Sequence, residues 1–128
     1  MKKIKIAKAI IKFDEQYFVI SSNSPIKKWK FFDVNVAENE NEIGKLSKEL
    51  LDKLNITQSP GKIFCQINLF QNGIQYDITI YKLNIRDEKV FENINFEYKL
   101  LLISELKTLK WEDIDKIIFQ KILDKNPR

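Results

Sequence analysis

Histidine is absent from the 128-residue sequence, and cysteine occurs only once. Without histidine, the chain has no catalytic triad with an imidazole base and no zinc site with histidine ligands. The single cysteine, Cys65, leaves no disulfide framework within the chain. Because Cys65 lies in an apolar strand pattern, we predict a buried structural thiol rather than a nucleophile.

Long apolar segments are missing as well. No stretch has the length of a membrane-spanning helix, and no stretch resembles a signal peptide. We therefore expect a protein of the reducing cytoplasm that has no membrane partner. Hydrophobic residues make up 44% of the chain and aromatic residues 12%. This content suffices for one core, so residues 1–128 are predicted to form a single domain.

Acidic residues are slightly fewer than basic ones, which gives a formal net charge of +4. A moderate positive charge can favour phosphates or nucleic acid. Residues 27–30 form the one local basic cluster, and the other basic residues are spread along the chain. Since no helix-turn-helix or RNA-binding motif is present, a small nucleic-acid binder is the weakest functional hypothesis.

Alternating apolar and polar residues predict five main strands, and a short apolar strand is predicted to begin at Trp29. The five main strands cover residues 3–13, 17–21, 62–71, 74–83 and 96–103. Asn72-Gly73 lies between two alternating runs and predicts a two-residue hairpin turn, because both positions require positive φ. Residues 86–95 are polar and are predicted to be a loop.

Apolar residues at helical spacing predict two longer helices. The first covers about residues 41–54, with Ile43, Leu46, Leu50 and Leu54 on its buried side. Ser104 is predicted to cap a short helix. The last helix covers about residues 112–123, and its predicted buried side consists of Ile114, Ile117, Ile118, Ile122 and Leu123. This order of elements predicts an α+β fold with helices on both faces of a mixed sheet.

Residues 29–56 resemble the Nudix box of the MutT-like nucleotide pyrophosphohydrolases. The family pattern is Gly, five residues, Glu, seven residues, then Arg-Glu-apolar-x-Glu-Glu-x-Gly-apolar. Trp29 begins Trp-Lys-Phe, which is similar to the Trp-Glu-Phe segment that precedes the box. The pattern aligns with this chain without a gap. Glu40 matches the loop glutamate, Lys48 the arginine, and Glu49 and Asp52 the first two helix glutamates. Leu50 matches the apolar position, and Ile56 matches the last residue.

Three positions depart from that pattern. Asp33-Val34 stands where the family has Gly-Gly, and a valine there would crowd a loop whose backbone approaches the metal. Lys53 replaces the third helix glutamate. Asn55 replaces the closing glycine, which is tolerable because asparagine adopts a left-handed helix cap readily.

The resemblance implies an α/β/α sandwich and a Mg²⁺ site, with Mn²⁺ as an alternative ion. It makes Glu49 and Asp52 metal ligands and Glu49 also a general base. Lys48 would orient the site, and Glu40 would brace the loop. Carboxylates one helical turn apart suit such an ion, because Mg²⁺ prefers oxygen ligands. Lys53 would repel it, so we expect reduced activity.

A simpler interpretation of the same helix is a solvated face. Glu49, Asp52, Lys45 and Lys53 would then form ion pairs one turn apart and bind no metal.

Trp111 begins the segment Trp-Glu-Asp-Ile-Asp, which resembles the base-reading segment of MutT-like proteins. The resemblance makes Asp113 and Asp115 candidates for binding a nucleotide base, and Trp29 completes the predicted substrate-binding set. The alternative is that both aspartates only favour a helix N-terminus, where negative charge is stabilising.

The resulting functional hypothesis is a MutT-like Nudix hydrolase of weak activity. Its substrate would be a nucleoside triphosphate or another nucleoside diphosphate derivative. The alternative is an inactive Nudix-fold module that binds a nucleotide or a protein. Either a monomer or a homodimer is compatible with the sequence.

Overall fold

The computed structural model describes residues 2–125. In this range seven strands form one sheet. The strands are β1 (Lys2–Phe13), β2 (Gln16–Ser21), β3 (Trp29–Lys30), β4 (Phe32–Val36), β5 (Ile63–Gln71), β6 (Ile74–Ile85) and β7 (Tyr98–Leu102). The α-helices are α1 (Glu42–Leu54), α2 (Ile103–Leu106) and α3 (Asp113–Lys125), and a 3-10 turn covers Glu88–Phe91.

The long strand β1 lies at the centre of the sheet. It pairs in parallel with β6 along its whole length. Its other edge is shared, because residues 5–9 pair antiparallel with β4 and residues 11–13 pair antiparallel with β2. Strand β6 also pairs with β5, and β2 pairs with β3 and β7. The sheet is therefore mixed, as predicted.

The two longer helices cover opposite faces of this sheet. On one face, Ala7 and Ala9 of β1 belong to the same apolar cluster as Leu50 of α1. On the other face, Ile10 of β1 belongs to a second cluster with Ile118 of α3. This division follows from the pleat of a strand, which directs successive side chains to opposite faces. The result is the expected α/β/α sandwich.

Helix α1 has defined caps at both ends. The Asn41 side chain accepts a hydrogen bond from the backbone N–H of Gly44 at 2.7 Å, which satisfies one free donor of the first turn. At the other end, Asn55 is in the left-handed region with φ of 56°. Its N–H donates to Leu51 at 3.0 Å. The predicted asparagine cap is therefore confirmed.

The predicted hairpin turn is also confirmed. Gln71 and Ile74 are paired across β5 and β6, which leaves Asn72 and Gly73 as the two turn residues. Their φ angles are 53° and 75°. Both angles match the turn type whose twist fits the twist of the flanking strands.

The large apolar side chains that are exposed in the two helices and in β5 include Ile43, Ile63 and Ile117, and two of these, Ile43 and Ile117, were predicted to be buried. Ile43 is 50% exposed. The preceding residue, Glu42, directs its side chain toward the sheet and accepts a hydrogen bond from Tyr81. Because successive helix residues are about 100° apart around the axis, the Ile43 side chain is turned away from the sheet. Ile63 is 53% exposed at the start of β5, where a bulge shifts the register. The third exposed position is Ile117 of α3.

Three further predictions were wrong in detail. Ser104 is not a helix cap, since α2 begins at Ile103 and the Leu102 N–H donates to the Glu105 carboxylate at 2.8 Å. Cys65 is half-buried rather than buried, because β5 lies at the edge of the sheet. Part of the predicted loop 86–95 forms the 3-10 turn.

We expect the replacement Gly73→Val to lower the free energy of unfolding by about 1–2 kcal/mol, because a side chain is strained at positive φ. No atom lies within 4 Å of the added Cβ position, so the loss would come from backbone strain alone. The matched control is Gly73→Asn, because asparagine tolerates the left-handed region, and it should stay near wild type. Urea unfolding of the three proteins measures the difference. Equal stability of the valine variant would contradict the turn assignment.

Candidate functional site

A buried lysine with two carboxylates lies where β1, β4 and α3 meet. The Lys8 Nζ is 2.9 Å from Oδ2 of Asp33. It is also 3.0 Å from Oδ2 of Asp115. Only 2% of Lys8 and 1% of Asp115 are exposed. A charge this deeply buried requires such partners, because its hydration is lost.

The local structure brings these three side chains together. Lys8 and Asp33 are direct partners in the pairing of β1 with β4, so their side chains emerge on the same face. Asp115 lies in the first turn of α3. Its Oδ2 also accepts a hydrogen bond from the Phe31 N–H at 2.8 Å. One carboxylate therefore joins α3 to β1 and to the residue between β3 and β4.

Two tryptophans fix the start of α3 against β3. The Trp29 N–H donates to the Lys110 carbonyl at 2.8 Å, and the Glu112 N–H donates to the Trp29 carbonyl at 3.0 Å. The Trp111 ring stacks on Phe31 with centroids 5.0 Å apart. These contacts place residues 112–115 beside the end of β3.

Burial and ion pairing act against each other in this cluster. Burial alone would lower the pKa of Lys8, but the Asp115 and Asp33 carboxylates outweigh it and raise that pKa. Burial would raise the pKa of Asp33, but Lys8 and Lys30 together lower it. Burial raises the pKa of Asp115, although Lys8 and the Phe31 N–H favour its charged form. Lys8 therefore stays charged at neutral pH.

An open cleft of about 430 Å³ lies above this cluster. We call it the α3-side cleft. It is bounded by β1, β4, the loop after β2, the hairpin of β5 and β6, and the start of α3. Its lining consists of Ile6, Lys8, Ser22, Asn23, Ser24, Lys30, Asp33, Gln71, Tyr76, Glu112, Asp113, Ile114 and Asp115. Most of these side chains can donate or accept hydrogen bonds.

The rim of the cleft has its own acidic groups. The Ser24 hydroxyl donates to Oε2 of Glu112 at 2.6 Å. Hydrogen bonds from Ser22 and Ser24 lower the pKa of Glu112, so this group is a carboxylate at neutral pH. Asp113 is exposed at the first position of α3. Both groups are therefore available as acceptors for a ligand with N–H donors.

The predicted metal-binding residues lie on α1, on the opposite face of the sheet. Glu49 is 19% exposed, and its Oε1 is 3.2 Å from the Nζ of Lys53. Asp52 and Lys48 are exposed. Neither Glu49 nor Asp52 lines the α3-side cleft, nor the cavity beside the first turn of α1 that includes Glu42.

The side chain of Glu40 holds the loop before α1. Glu40 accepts a hydrogen bond from the Ala37 N–H at 2.7 Å, and Lys45 lies 3.6 Å from its other oxygen. Val34 lies inside β4 rather than in a loop, and its side chain is buried in the core. Leu50 and Ile56 are also buried there. These positions therefore serve structure.

The described residues do not fit the expected Mg²⁺ site. Within residues 2–125, no group of three or more acidic or cysteine side chains is placed to hold a metal. Glu49 already has a cationic partner, and Asp52 alone is a weak ligand set for an ion that prefers six oxygens.

The structure thus brings together one half of the predicted site. Trp29, Asp113 and Asp115 all lie near the start of α3, but Trp29 is buried, does not line the cleft and has the Lys99 ammonium over its ring. The sequence interpretation missed Lys8, although one signal was present. Lys8 is the only charge in the apolar run 6–11, and an isolated charge in a strand indicates a buried partner.

Several solved structures are similar to this one across nearly the whole chain. The MutT protein from Methanosarcina mazei Go1 has a TM-score of 0.78 at 15% identity, over 99% of this chain and 97% of that one. The MutT Nudix hydrolase from Burkholderia pseudomallei has a TM-score of 0.73 at 14% identity, over 96% and 100%. The chain has the Nudix fold.

The Nudix domain of Shewanella oneidensis NrtR, solved with ADP ribose, shows the same similarity with a TM-score of 0.76 at 10% identity, over 99% of this chain and 90% of that one. No protein-family model matches the sequence, and no curated protein matches it. No helix among residues 2–125 has the length and apolar character that a membrane crossing needs. The similarity of this chain to the solved structures therefore lies in the fold of the backbone and not in the sequence.

We expect Lys8→Met to lower the free energy of unfolding by about 3–5 kcal/mol, because it leaves a buried carboxylate without its cation. Lys5→Met is the matched control, since Lys5 lies on the same strand but is exposed, and it should change stability by less than about 0.5 kcal/mol. Denaturant unfolding measures both changes. Equal effects of the two substitutions would show that the cluster does not stabilise the fold.

The lowered pKa of Asp33 predicts a pH effect. Because this pKa is lower in the folded protein, ionised Asp33 stabilises the fold above its unfolded pKa, and the contribution is lost as pH falls through the folded value. Asp33→Asn should therefore be less stable than wild type at neutral pH, and the difference should shrink below about pH 4. Urea unfolding across this range, with the exposed turn variant Asp14→Asn as control, measures it. A constant difference down to about pH 2 would contradict the assignment.

Proposed function

We propose that this chain binds a nucleotide, with its base in the α3-side cleft, and hydrolyses it slowly or not at all. The ligand class is a nucleoside triphosphate or another nucleoside diphosphate derivative. The observation that carries the proposal is a hydrogen-bonding cleft of about 430 Å³, a volume in the range of small-molecule sites, at the start of α3 in a Nudix fold.

The chemistry of the cleft suits a base with neighbouring N–H groups. Asp113 and Glu112 offer carboxylate acceptors on the rim, and such charge-assisted hydrogen bonds are stronger than neutral ones. Asp115 is a poorer candidate for direct contact, because both of its oxygens are held by Lys8 and one also by the Phe31 N–H. Asp115 instead supports the floor of the cleft.

The structural neighbours support the same ligand class. Two of them are MutT proteins, and one Nudix domain was solved with ADP ribose. Binding without efficient hydrolysis is favoured here because Glu49 is paired with Lys53 rather than grouped with other carboxylates. Pyrophosphate hydrolysis needs neutralisation of the phosphate charge and an activated water. Both are tasks of a metal held by Glu49, and the pairing with Lys53 makes Glu49 less available as a ligand.

Slow Mg²⁺-dependent hydrolysis is the second candidate function, although Glu49 would first have to leave its ion pair with Lys53 to hold an ion. It is favoured by the spacing of Glu49 and Asp52, which lie three residues apart on α1. Carboxylates at this spacing can meet on one helix face. Lys48 would then orient the site, as the family resemblance implies.

The test is calorimetric titration of the protein with a panel of ATP, GTP and ADP ribose. We expect at least one of these ligands to bind, and Asp113→Asn to weaken that binding about tenfold, because an acceptor is exchanged for a donor facing the ligand. The matched control is Asp124→Asn, which makes the same change at the exposed far end of α3. It should bind like wild type.

Two outcomes would decide between the candidate functions. Release of phosphate or pyrophosphate by wild type at an enzymatic rate would favour the hydrolase, and binding without release would favour the binding module. If none of the panel binds, or if both asparagine variants bind equally well, the base site at the start of α3 is wrong.

A further inference from the structure

Strand β5 forms one edge of the sheet. In the described part of the chain it pairs with β6 on one side and with no strand on the other. Its nine residues contain no charged side chain, no proline and no glycine, although 31% of the whole chain is charged. Edge strands of native sheets commonly carry charges or proline, because their unpaired backbone groups attract another strand. Strand β7, which pairs with β2 alone, carries such a charge in Lys99.

The hairpin determines which backbone groups of β5 face away from β6. Gln71 and Ile74 are the paired residues that flank the two-residue turn. In antiparallel pairing, residues that bond to the partner strand alternate with residues whose N–H and C=O face outward. Counting back from Gln71, the outward groups belong to Phe70, Asn68 and Gln66. These groups lie on the free edge of the sheet.

Only the beginning of this edge is protected. A bulge interrupts the pairing beside Phe64, and the Phe64 carbonyl accepts a hydrogen bond from the Lys125 ammonium at 3.4 Å. Residues 66–70 have neither form of protection within residues 2–125. In that range Phe70 is also the most exposed large apolar residue, at 63%. The second half of β5 is therefore an open, uncharged edge with an exposed aromatic ring.

We propose that two copies of this chain form a homodimer by antiparallel pairing of their β5 strands. The three outward positions are symmetric about Asn68. A two-fold axis at Asn68 therefore pairs this residue with its own counterpart, and pairs Gln66 with Phe70 of the second copy. Every outward N–H and C=O of these three residues gains a partner in this one register. The interface is isologous, as in most homodimers, and it does not depend on the proposed nucleotide binding.

The side chains suit this register on both faces of the sheet. Ile67 and Leu69 face the α3 side, where both belong to the second apolar cluster. In the dimer Ile67 lies opposite Leu69 of the second copy, so the cluster continues across the axis. On the α1 side, Phe70 lies beside Gln66 of the second copy, because side chains two or four positions apart share a face. Gln66 lines an open cavity of about 460 Å³, which leaves room for the ring.

The strength of the dimer is limited by its size. Stable specific interfaces bury about 1,200–2,000 Å² in total, and pairing of one short strand from each copy lies at or below that range. We therefore expect a dissociation constant in the micromolar range. Sedimentation equilibrium between about 1 µM and 1 mM should show a monomer that converts to a dimer. A monomer throughout this range would overturn the inference.

A charge at the axis tests the location of the interface. Asn68→Lys places two like charges directly opposite each other, which is destabilising, and should weaken dimerisation at least about tenfold. The matched control is Asn39→Lys, which makes the same change at an exposed position in the loop before α1 and should dimerise like wild type. Equal weakening by both variants would show an effect of net charge alone and would overturn the inference.

A cysteine at the axis tests the register. In a Cys65→Ser background, Asn68→Cys should form an intermolecular disulfide with oxidised glutathione, because Cα atoms of such a pair lie about 5.5 Å apart. Gln66→Cys in the same background is the matched control. Its two copies would lie about 14 Å apart along the strands, which no disulfide can span. Equal crosslinking of both variants, or of neither, would overturn the inference.

Discussion

The buried ion cluster of Lys8, Asp33 and Asp115 is the interaction on which the α3 side of the molecule depends. Three elements meet at one ammonium, which lies within 3.2 Å of both carboxylates. Replacing a buried ion pair by apolar groups is often neutral, whereas removing one partner is costly. The cluster therefore acts as a positional constraint. It sets where α3 begins, and the start of α3 forms one wall of the cleft.

The two faces of the sheet have separate chemistry. On the α3 face, polar side chains converge above a charged floor and line the α3-side cleft. On the α1 face, the caps at Asn41 and Asn55 and the buried Leu50 preserve the helix, while the Glu49 and Lys53 pair replaces the acidic cluster that the family resemblance implies. A fold of this kind is compatible with several functions, because function depends on the side chains placed on it.

Elements governed by neighbours in the sequence were predicted well. The Asn72-Gly73 turn and the Asn55 cap follow from local backbone preferences, which do not depend on the rest of the fold. Trp29 and Asp115, which both lie near the start of α3, were singled out through a resemblance. Lys8 was not, since its role depends on Asp115, 107 residues further along the chain.

The sequence by itself determined the order of strands and helices, the turn and caps, and the substitution of Lys53 on α1, because periodicity and residue type act over a few positions. The sequence also indicated the apolar side of each longer helix, but only the tertiary structure decided the rotation of α3. Asp115 and Phe119 are buried and Ile117 is exposed, because burial depends on what each side chain meets on the sheet. It also decided that the two predicted half-sites lie on opposite faces of the sheet, since that depends on which strands pair with β1.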